Sequence, residues 1–468
     1  MVRTAPRPRA GIRHGRVRRL AAAWLVLPLA AGAAAGARAG SEVRPTPLAY
    51  TASTLPNGLR LILHEDHSTP IVNVQVWYHV GSKNERPGRT GFANLLERLM
   101  FTGSKNVEPD QHTALISGVG GQTDAETTED VTVYWDTVPS QFLPMVLWLE
   151  ADRMATLRFE RGAFEREREA VKEERRMRVE NQLYGRLSEI VSSHAFTVHP
   201  YKHGTIGSMA DLDAALLENV RAFYRTFYVP NNATVVIAGD IDSRVAAELA
   251  ARYFGRIQRP TATVPRNIPM EPPATSPRRL TIEENWPLPV VVVAHHVTPL
   301  GHPDSYALYM ASKILSDGQS SRIYRKLVYE TGIALSAGVV GNFTEDPNLF
   351  YAFAVVQPGH TVDEAEAALV RELVRLRGEP VTERELARAR IQFTRDNVLG
   401  RETVQQKASV LARAAVLHNG DVASADVEFD RFRRVTAADI QRVAQAYFAP
   451  GTRLTITVTP KLVTGGVE

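Results

Sequence analysis

Apolar and polar residues alternate near residue 70, which is the pattern of a half-buried β-strand. Between residues 71 and 80, apolar side chains occupy every second position, among them Val72, Val74 and Val76. Successive side chains of a strand point to opposite faces of its sheet, so this spacing places the three valines on one face. A second strand is predicted for residues 58–64, and a helix for residues 91–101.

The second half of the chain repeats this order of elements. Strands are predicted for residues 280–283 and 290–296, followed by a helix at 305–315. Each half then closes with a helix, an aromatic pair, a proline turn and a β-branched strand, and Thr436 is a suitable N-cap for the last of these helices. The pattern predicts an α+β fold of two similar domains, each a mostly antiparallel sheet with helices packed on one face.

A proline-rich segment separates the two halves. Six prolines lie within residues 258–279, where apolar periodicity is weak, and such a composition favours a stiff, extended linker. The sequence therefore predicts an N-terminal domain at residues 40–257 and a C-terminal domain at residues 280–468.

The first 39 residues have the composition of a secretory signal peptide. A start rich in arginine precedes an apolar stretch at residues 20–35, and Ala37-Arg38-Ala39 offers a small-x-small cleavage site before Gly40. The alternative is an uncleaved membrane anchor, but the apolar stretch is short for a membrane span. We therefore expect an exported protein without a membrane segment after cleavage.

Cleavage changes the charge of the protein. The segment holds eight arginines and no acidic residue, so 55 basic residues fall to 47 against 51 acidic ones, and the net charge moves from +4 to −4. A nucleic-acid partner thereby loses its main electrostatic support. The chain has no cysteine, which excludes disulfides and zinc sites built on thiolates.

The helix predicted at residues 91–101 has the spacing of an inverted zinc-binding motif without its histidines. In the sequence H-x-x-E-H, two histidines share one helical face and bind Zn²⁺, and the glutamate activates water. Here Asn94 and Arg98 occupy the histidine positions, and Glu97 remains at the general-base position. A guanidinium group offers no lone pair to a metal. The pattern therefore predicts no intact metal site and no bound cofactor.

Several segments, taken in order, resemble the insulinase/pitrilysin family of zinc peptidases, which includes mitochondrial processing peptidase. These segments are residues 80–85 with Gly91, 101–104, 120–121, 127–134, 229–234 and 317–324. The resemblance covers nearly the whole chain after the signal peptide. Together with that signal, it implies a bacterial periplasmic or secreted protein.

The resemblance also assigns further site residues. It implies that Glu174 holds the third metal-ligand position and that Glu167 is a supporting carboxylate, both on a charged helix predicted for residues 164–181. It implies an edge strand near Asp124 and Ala125 that receives extended peptides, where relatives usually carry asparagine in place of Asp124. One member of a substrate-gripping Arg/Tyr pair falls near Tyr351, without a firm position.

Two hypotheses follow for the altered centre, by which we mean Asn94, Glu97, Arg98, Glu167 and Glu174. Arg98 replaces the metal with an ion pair to Glu174, joining the two helices that zinc normally joins. Alternatively, another histidine supplies the missing ligand, although none has helical spacing from Glu97 or Glu174. The candidates in the first half are His112, His194, His199 and His203.

Three functions remain open. The first is a non-catalytic structural or peptide-binding subunit that pairs with an active homologue, since small family members commonly pair two chains into a chamber. The second is an active zinc metalloendopeptidase with an unusual metal site. The third is a stand-alone peptide-binding envelope protein.

Overall fold

Two β-sheets organise the part of the chain that the structure, a computed structural model, describes, which is residues 43–461. The predicted signal peptide lies outside this range. The strands are β1 Thr51–Thr54, β2 Arg60–Glu65, β3 Ile71–Tyr78, β4 Gln122–Thr127, β5 Thr132–Pro139, β6 Ala233–Gly239, β7 Arg278–Glu284, β8 Val290–Val297, β9 Ala334–Gly341, β10 Asn348–Val356 and β11 Leu454–Pro460.

Helices connect and cover these strands. They are α1 Phe92–Leu99, α2 Gln111–Gly118, α3 Leu143–Thr156, α4 Arg161–Arg175, α5 Leu187–Ala195, α6 Met209–Asp213, α7 Leu217–Phe227, α8 Ser243–Phe254, α9 Pro303–Ser316, α10 Val362–Gly378, α11 Glu383–Leu399, α12 Val404–Leu417, α13 Ser424–Arg434 and α14 Ala437–Tyr447. None of these helices combines the length and apolar character needed to cross a membrane.

The two sheets have the same strand order. The first runs β1-β2-β6-β3-β5-β4 and the second runs β7-β11-β8-β10-β9, so the second lacks only a counterpart of β1. In each sheet one pair is parallel, β2 with β6 and β7 with β11, and the other pairs are antiparallel. The predicted pair of similar, mostly antiparallel α+β domains is confirmed.

Each half packs its own helices against one face of its sheet. In the first half, Val72, Val74 and Val76 of β3 share a core with Leu95 and Leu99 of α1. The second half has an equivalent core between its strands and α9, α10 and α14. Alternation along β3 therefore decides which of its residues face α1.

The other face of each sheet is covered by a helix from the opposite half. Leu411 of α12 packs against Ile62 and Val236 of the first sheet, and Ile190 of α5 packs against Val292 of the second. The sequence analysis placed helices on one face only. Periodicity shows that a helix has an apolar side, but it does not show which sheet covers that side.

The predicted helix cap, charged helix and linker agree with the structure to different extents. The Thr436 hydroxyl accepts the backbone N–H of Asp439, so the predicted N-cap is confirmed. The resemblance implies a strand at residues 127–134, but the structure divides this segment between the end of β4, a turn and the start of β5. The charged helix is α-helical only to Arg175 and continues as a π-helical turn to Glu180. Residues 258–277 have no regular secondary structure, and β7 begins at the last two residues of the predicted linker.

Candidate functional site

A buried carboxylate fixes the start of α1. The Glu85 side chain accepts the backbone N–H groups of Gly91 and Ala93, at 2.9 and 2.7 Å, which are donors that a helix leaves unpaired in its first turn. Burial raises the pKa of Glu85 to about 8. Gly91 has a φ of 87° and lies against the backbone of Ile206, so a side chain there would clash. This turn sets the direction in which α1 presents its site residues.

Glu97 projects from α1 toward the edge strand β4. The hydroxyl of Thr127 donates a hydrogen bond of 2.5 Å to its carboxylate. Burial raises the pKa of Glu97 to about 7, against the lowering effect of the Thr127 hydrogen bond, and the nearby charge of Glu174 raises it further. Glu97 therefore takes up a proton far more readily than a carboxylate in water.

Arg98 joins α1 to α4 through Glu174. Its Nη2 lies 2.6 Å from one carboxylate oxygen of Glu174, and Nη1 of Arg178 lies 2.8 Å from the other. The Arg98 side chain is 35% exposed and that of Glu174 is 9% exposed. The ion pair expected from the sequence is present, with a single nitrogen–oxygen contact from Arg98 rather than two.

Asn94 and Glu167 complete the altered centre. Asn94 is buried, and its side-chain oxygen has no hydrogen-bond partner among the described residues. Glu167 is half-buried, and burial raises its pKa while the charge of Arg98 lowers it. The structure thus brings Glu97, Arg98 and Glu174 together on α1 and α4.

The residues present do not fit a zinc ion. One oxygen of Glu174 is engaged by a permanent cation, and the Asn94 amide oxygen is a weak donor for zinc. Within residues 43–461, a single set of three His or carboxylate side chains comes within metal-binding distance. It consists of His112, Asp136 and Glu150 and includes none of Asn94, Arg98 and Glu174.

The other candidate histidines have partners of their own. His194 and His203 contact backbone carbonyl oxygens, and His199 lies 3.5 Å from Asp346. No described contact joins any of the four candidates to Glu97 or Glu174, so the histidine hypothesis gains no support from the structure. Tyr351 is buried between the second sheet and α5, so it is not exposed to a peptide.

The edge strand β4 borders the centre. It pairs with β5 and is the last strand of its sheet. Asp124 is exposed and its carboxylate accepts the backbone N–H of Ala125, whereas Ala125 packs against the core of the first half. An edge strand of this kind can add an extended peptide as a further strand.

Two models of peptidase domains match the amino-acid sequence. The insulinase (peptidase family M16) model matches residues 60–208, and the peptidase M16 inactive domain model matches residues 215–393. The chain belongs to the insulinase family. Both halves of the fold thus have a counterpart in the M16 domains.

Curated M16 relatives extend over most of the chain. The zinc protease PqqE of Helicobacter pylori is 28% identical over 410 residues, which is 87% of this chain and 92% of that protein. The probable mitochondrial-processing peptidase subunit beta of Arabidopsis thaliana is 24% identical, over 84% of this chain and 75% of that protein. These proteins are homologues named as peptidases.

Solved structures of M16 proteins share the fold. A protease from Helicobacter pylori superposes with a TM-score of 0.84 at 28% identity, covering 88% of this chain and all of the other. The first half of the periplasmic protease PqqL from Escherichia coli has a TM-score of 0.72 at 18% identity, covering 89% of this chain and 93% of the other. The second likeness concerns the fold alone.

Sequence reasoning missed a buried charged cluster in this M16 fold. His112 lies 3.1 Å from Asp136, and Glu150 pairs with Arg153, whose guanidinium also lies over the rings of two aromatic residues. A signal for the Glu150–Arg153 pair was available in the sequence, because the two residues lie three positions apart in the mostly apolar segment 143–156, a spacing that lets them pair on one helix.

Proposed function

We propose that this chain is a non-catalytic, exported member of the insulinase family that binds extended peptides and pairs with an active, zinc-containing homologue. The observation that carries the proposal is the ion pair between Arg98 and Glu174. It places a fixed positive charge and a hydrogen bond where the family pattern places a metal. Without a metal to lower the pKa of a bound water, Glu97 has no activated nucleophile to deprotonate.

Peptide capture is supported separately from catalysis. Pairing with an edge strand uses backbone groups, and β4 keeps its place at the edge of the first sheet beside Glu97. The proposed pairing with a homologue is supported by the family resemblance, since small family members commonly pair two chains. The proposed export is supported by the predicted signal peptide. Zinc is required only under the alternative of an active metalloendopeptidase, which needs donors that the described residues near Glu174 do not supply.

The deciding experiment compares the natural chain with a variant that restores the motif. Both the chain and the Asn94→His/Arg98→His variant are incubated with Zn²⁺, desalted and examined by elemental analysis. We expect far less than one zinc per natural chain and close to one per restored chain, because two imidazoles and Glu174 supply the three protein ligands of a catalytic zinc site, with water in the fourth position. Near-stoichiometric zinc in the natural chain would overturn the proposal.

Peptide cleavage and assembly supply the remaining readouts. A quenched fluorescent peptide should stay intact with the natural chain, with or without a chelator. Mixing the chain with an M16 homologue from the same organism that keeps the H-x-x-E-H motif should give a stable complex by size-exclusion chromatography with light scattering. A chain that stays monomeric but binds peptides would instead indicate the stand-alone binding protein.

A further inference from the structure

A cavity of about 590 Å³ lies on the face of the first sheet that points away from α1. Its walls come from β3, β4 and β5 on one side and from the N-terminal half of α12 on the other. The cavity exists because α12, which comes from the second half, packs against β3 and β6 but leaves the part of the sheet near the β4 edge uncovered.

Strand β4 connects this cavity to the altered centre. Thr127 turns toward Glu97 on one face of the sheet, and Ala125 packs against the core on that same face. Glu126 lies between them and lines the cavity on the opposite face, as the alternation of a strand requires. The strand therefore presents Glu97 on one face and the cavity on the other.

A peptide added to β4 would share this alternation. Directly opposed residues of neighbouring strands place their side chains on the same face, with Cβ atoms about 5 Å apart. The peptide residue opposite Glu126 would therefore extend its side chain over the cavity, and its two neighbours would face α1. Every second residue of the peptide would meet the cavity side of the sheet.

The lining of the cavity indicates which side chain it takes. Trp77, Val133 and the amide of Gln75 are buried on the sheet side of the cavity, and Trp135 is partly exposed beside them. Exposed charges stand at the rim, with Glu126 on the strand wall and Arg413 on the helix wall. The indole and valine side chains suit an aromatic ring, and the amide, hydroxyl and charged groups among them suit a ring that carries a hydroxyl group.

We propose that this cavity is a side-chain pocket for an aromatic residue, tyrosine above all, of an extended peptide paired with β4. The proposal rests on the peptide capture proposed above and adds a selectivity to it. The pocket would bind a peptide side chain on the sheet face opposite Glu97, so this binding does not depend on the residues at the altered centre. It also makes the second half of the chain, through α12, part of peptide recognition.

Fluorescence anisotropy with labelled decapeptides tests the pocket. The peptides are blocked at both ends and carry one tyrosine in an otherwise constant sequence of alanine, serine and threonine, moved along the peptide one position at a time. We expect tyrosine to tighten binding about tenfold at alternate positions only, since ring stacking and burial act on one face of the added strand.

Two variants separate the pocket from the edge strand. Val410→Trp fills the cavity from the helix wall, and Trp135→Ala removes the indole face. Each should abolish the preference for tyrosine while binding of the tyrosine-free peptide stays unchanged. Val245→Trp serves as the matched control, because Val245 is 43% exposed on α8, away from the cavity, and it should keep the preference.

The outcomes distinguish the two proposals. If no decapeptide binds to the natural chain, peptide capture fails and the pocket fails with it. If peptides bind but tyrosine gives no alternating preference, or if both variants keep that preference, the pocket is wrong and peptide capture stands.

Discussion

Two arginine–carboxylate groups in the first half of this chain differ mainly in their access to water. Arg153 and Glu150 form one pair with side chains that are 2% and 0% exposed. Arg98 and Glu174 form the other, and the Arg98 side chain is 35% exposed. The first pair lies inside the core beside a second carboxylate, and the second pair joins α1 to α4 at the centre proposed above to have lost its metal.

The difference teaches what each arginine does. In the core, Arg153 lies 4.4 Å from the ring centre of Tyr134 and 5.0 Å from that of Phe101, and it offsets the buried charges of Glu150 and Asp136. Burial still raises the pKa of Glu150 to about 7. At the altered centre, Glu174 keeps a second partner in Arg178. We therefore expect the buried arginine to contribute more to the stability of the fold than the partly exposed one.

The largest effect is expected from Arg153→Met. The change should lower the free energy of unfolding by about 3–5 kcal/mol, because it leaves buried carboxylates without their cation. Chemical denaturation monitored by circular dichroism measures the loss. The control is Arg161→Met, which breaks an ion pair whose side chains are 87% and 49% exposed and should cost less than about 0.5 kcal/mol. Equal losses in the two variants would contradict the difference drawn between buried and exposed pairs.

A smaller effect is expected from Arg98→Ala. The pair is partly exposed and Arg178 remains on Glu174, so the free energy of unfolding should fall by about 1–2 kcal/mol, between the values for exposed and buried pairs. Arg178→Ala is the matched control, since that side chain is 72% exposed and its loss should stay below about 0.5 kcal/mol. A loss below about 0.5 kcal/mol for Arg98→Ala would remove its role as a structural substitute for the metal.

The sequence predicted the repeated sheets and the altered centre because both depend on local patterns. Alternation at Val72, Val74 and Val76 identified β3 and the face that packs on α1, but the strand is not half-buried as predicted, because α12 covers its other face. The spacing of Glu97 and Arg98 placed them on one helix. The pairing of Arg98 with Glu174, 76 positions away, followed only from the family resemblance. Spacing alone carries no information about contacts between distant helices.

The approach of His112 and Asp136 to Glu150 and the position of the cavity could not be predicted from the sequence, for the same reason. His112, Asp136 and Glu150 lie on three different elements, so no local period connects them. The cavity depends on where α12 crosses the first sheet, and the amphipathic pattern of α12 is equally compatible with packing on its own half. Both features are decided by the tertiary packing of elements that are distant in the sequence.

The smallest effect is expected from Glu97→Gln, and it depends on pH. The folded pKa of Glu97 is raised to about 7 from an ordinary value of 4.5, so between these values the folded chain holds a proton that the unfolded chain has released. Stability contributed by this group is therefore present below about pH 4.5 and is lost as the pH rises toward 7. Glutamine keeps an acceptor for Thr127 and cannot ionise.

The variant should accordingly gain stability over the natural chain as the pH rises. We expect the two free energies of unfolding to be similar near pH 4.5 and the variant to be about 1 kcal/mol more stable at pH 8. This difference is smaller than the full pKa shift of Glu97 implies, because water reaches the half-buried carboxylate. Urea titrations at several pH values measure the difference, in which all other ionisable groups cancel. If the difference in free energy of unfolding did not change with pH, Glu97 would be solvated like a surface carboxylate. The centre around Glu97 would then be more accessible to water than the structure indicates, which would widen its difference from the buried cluster.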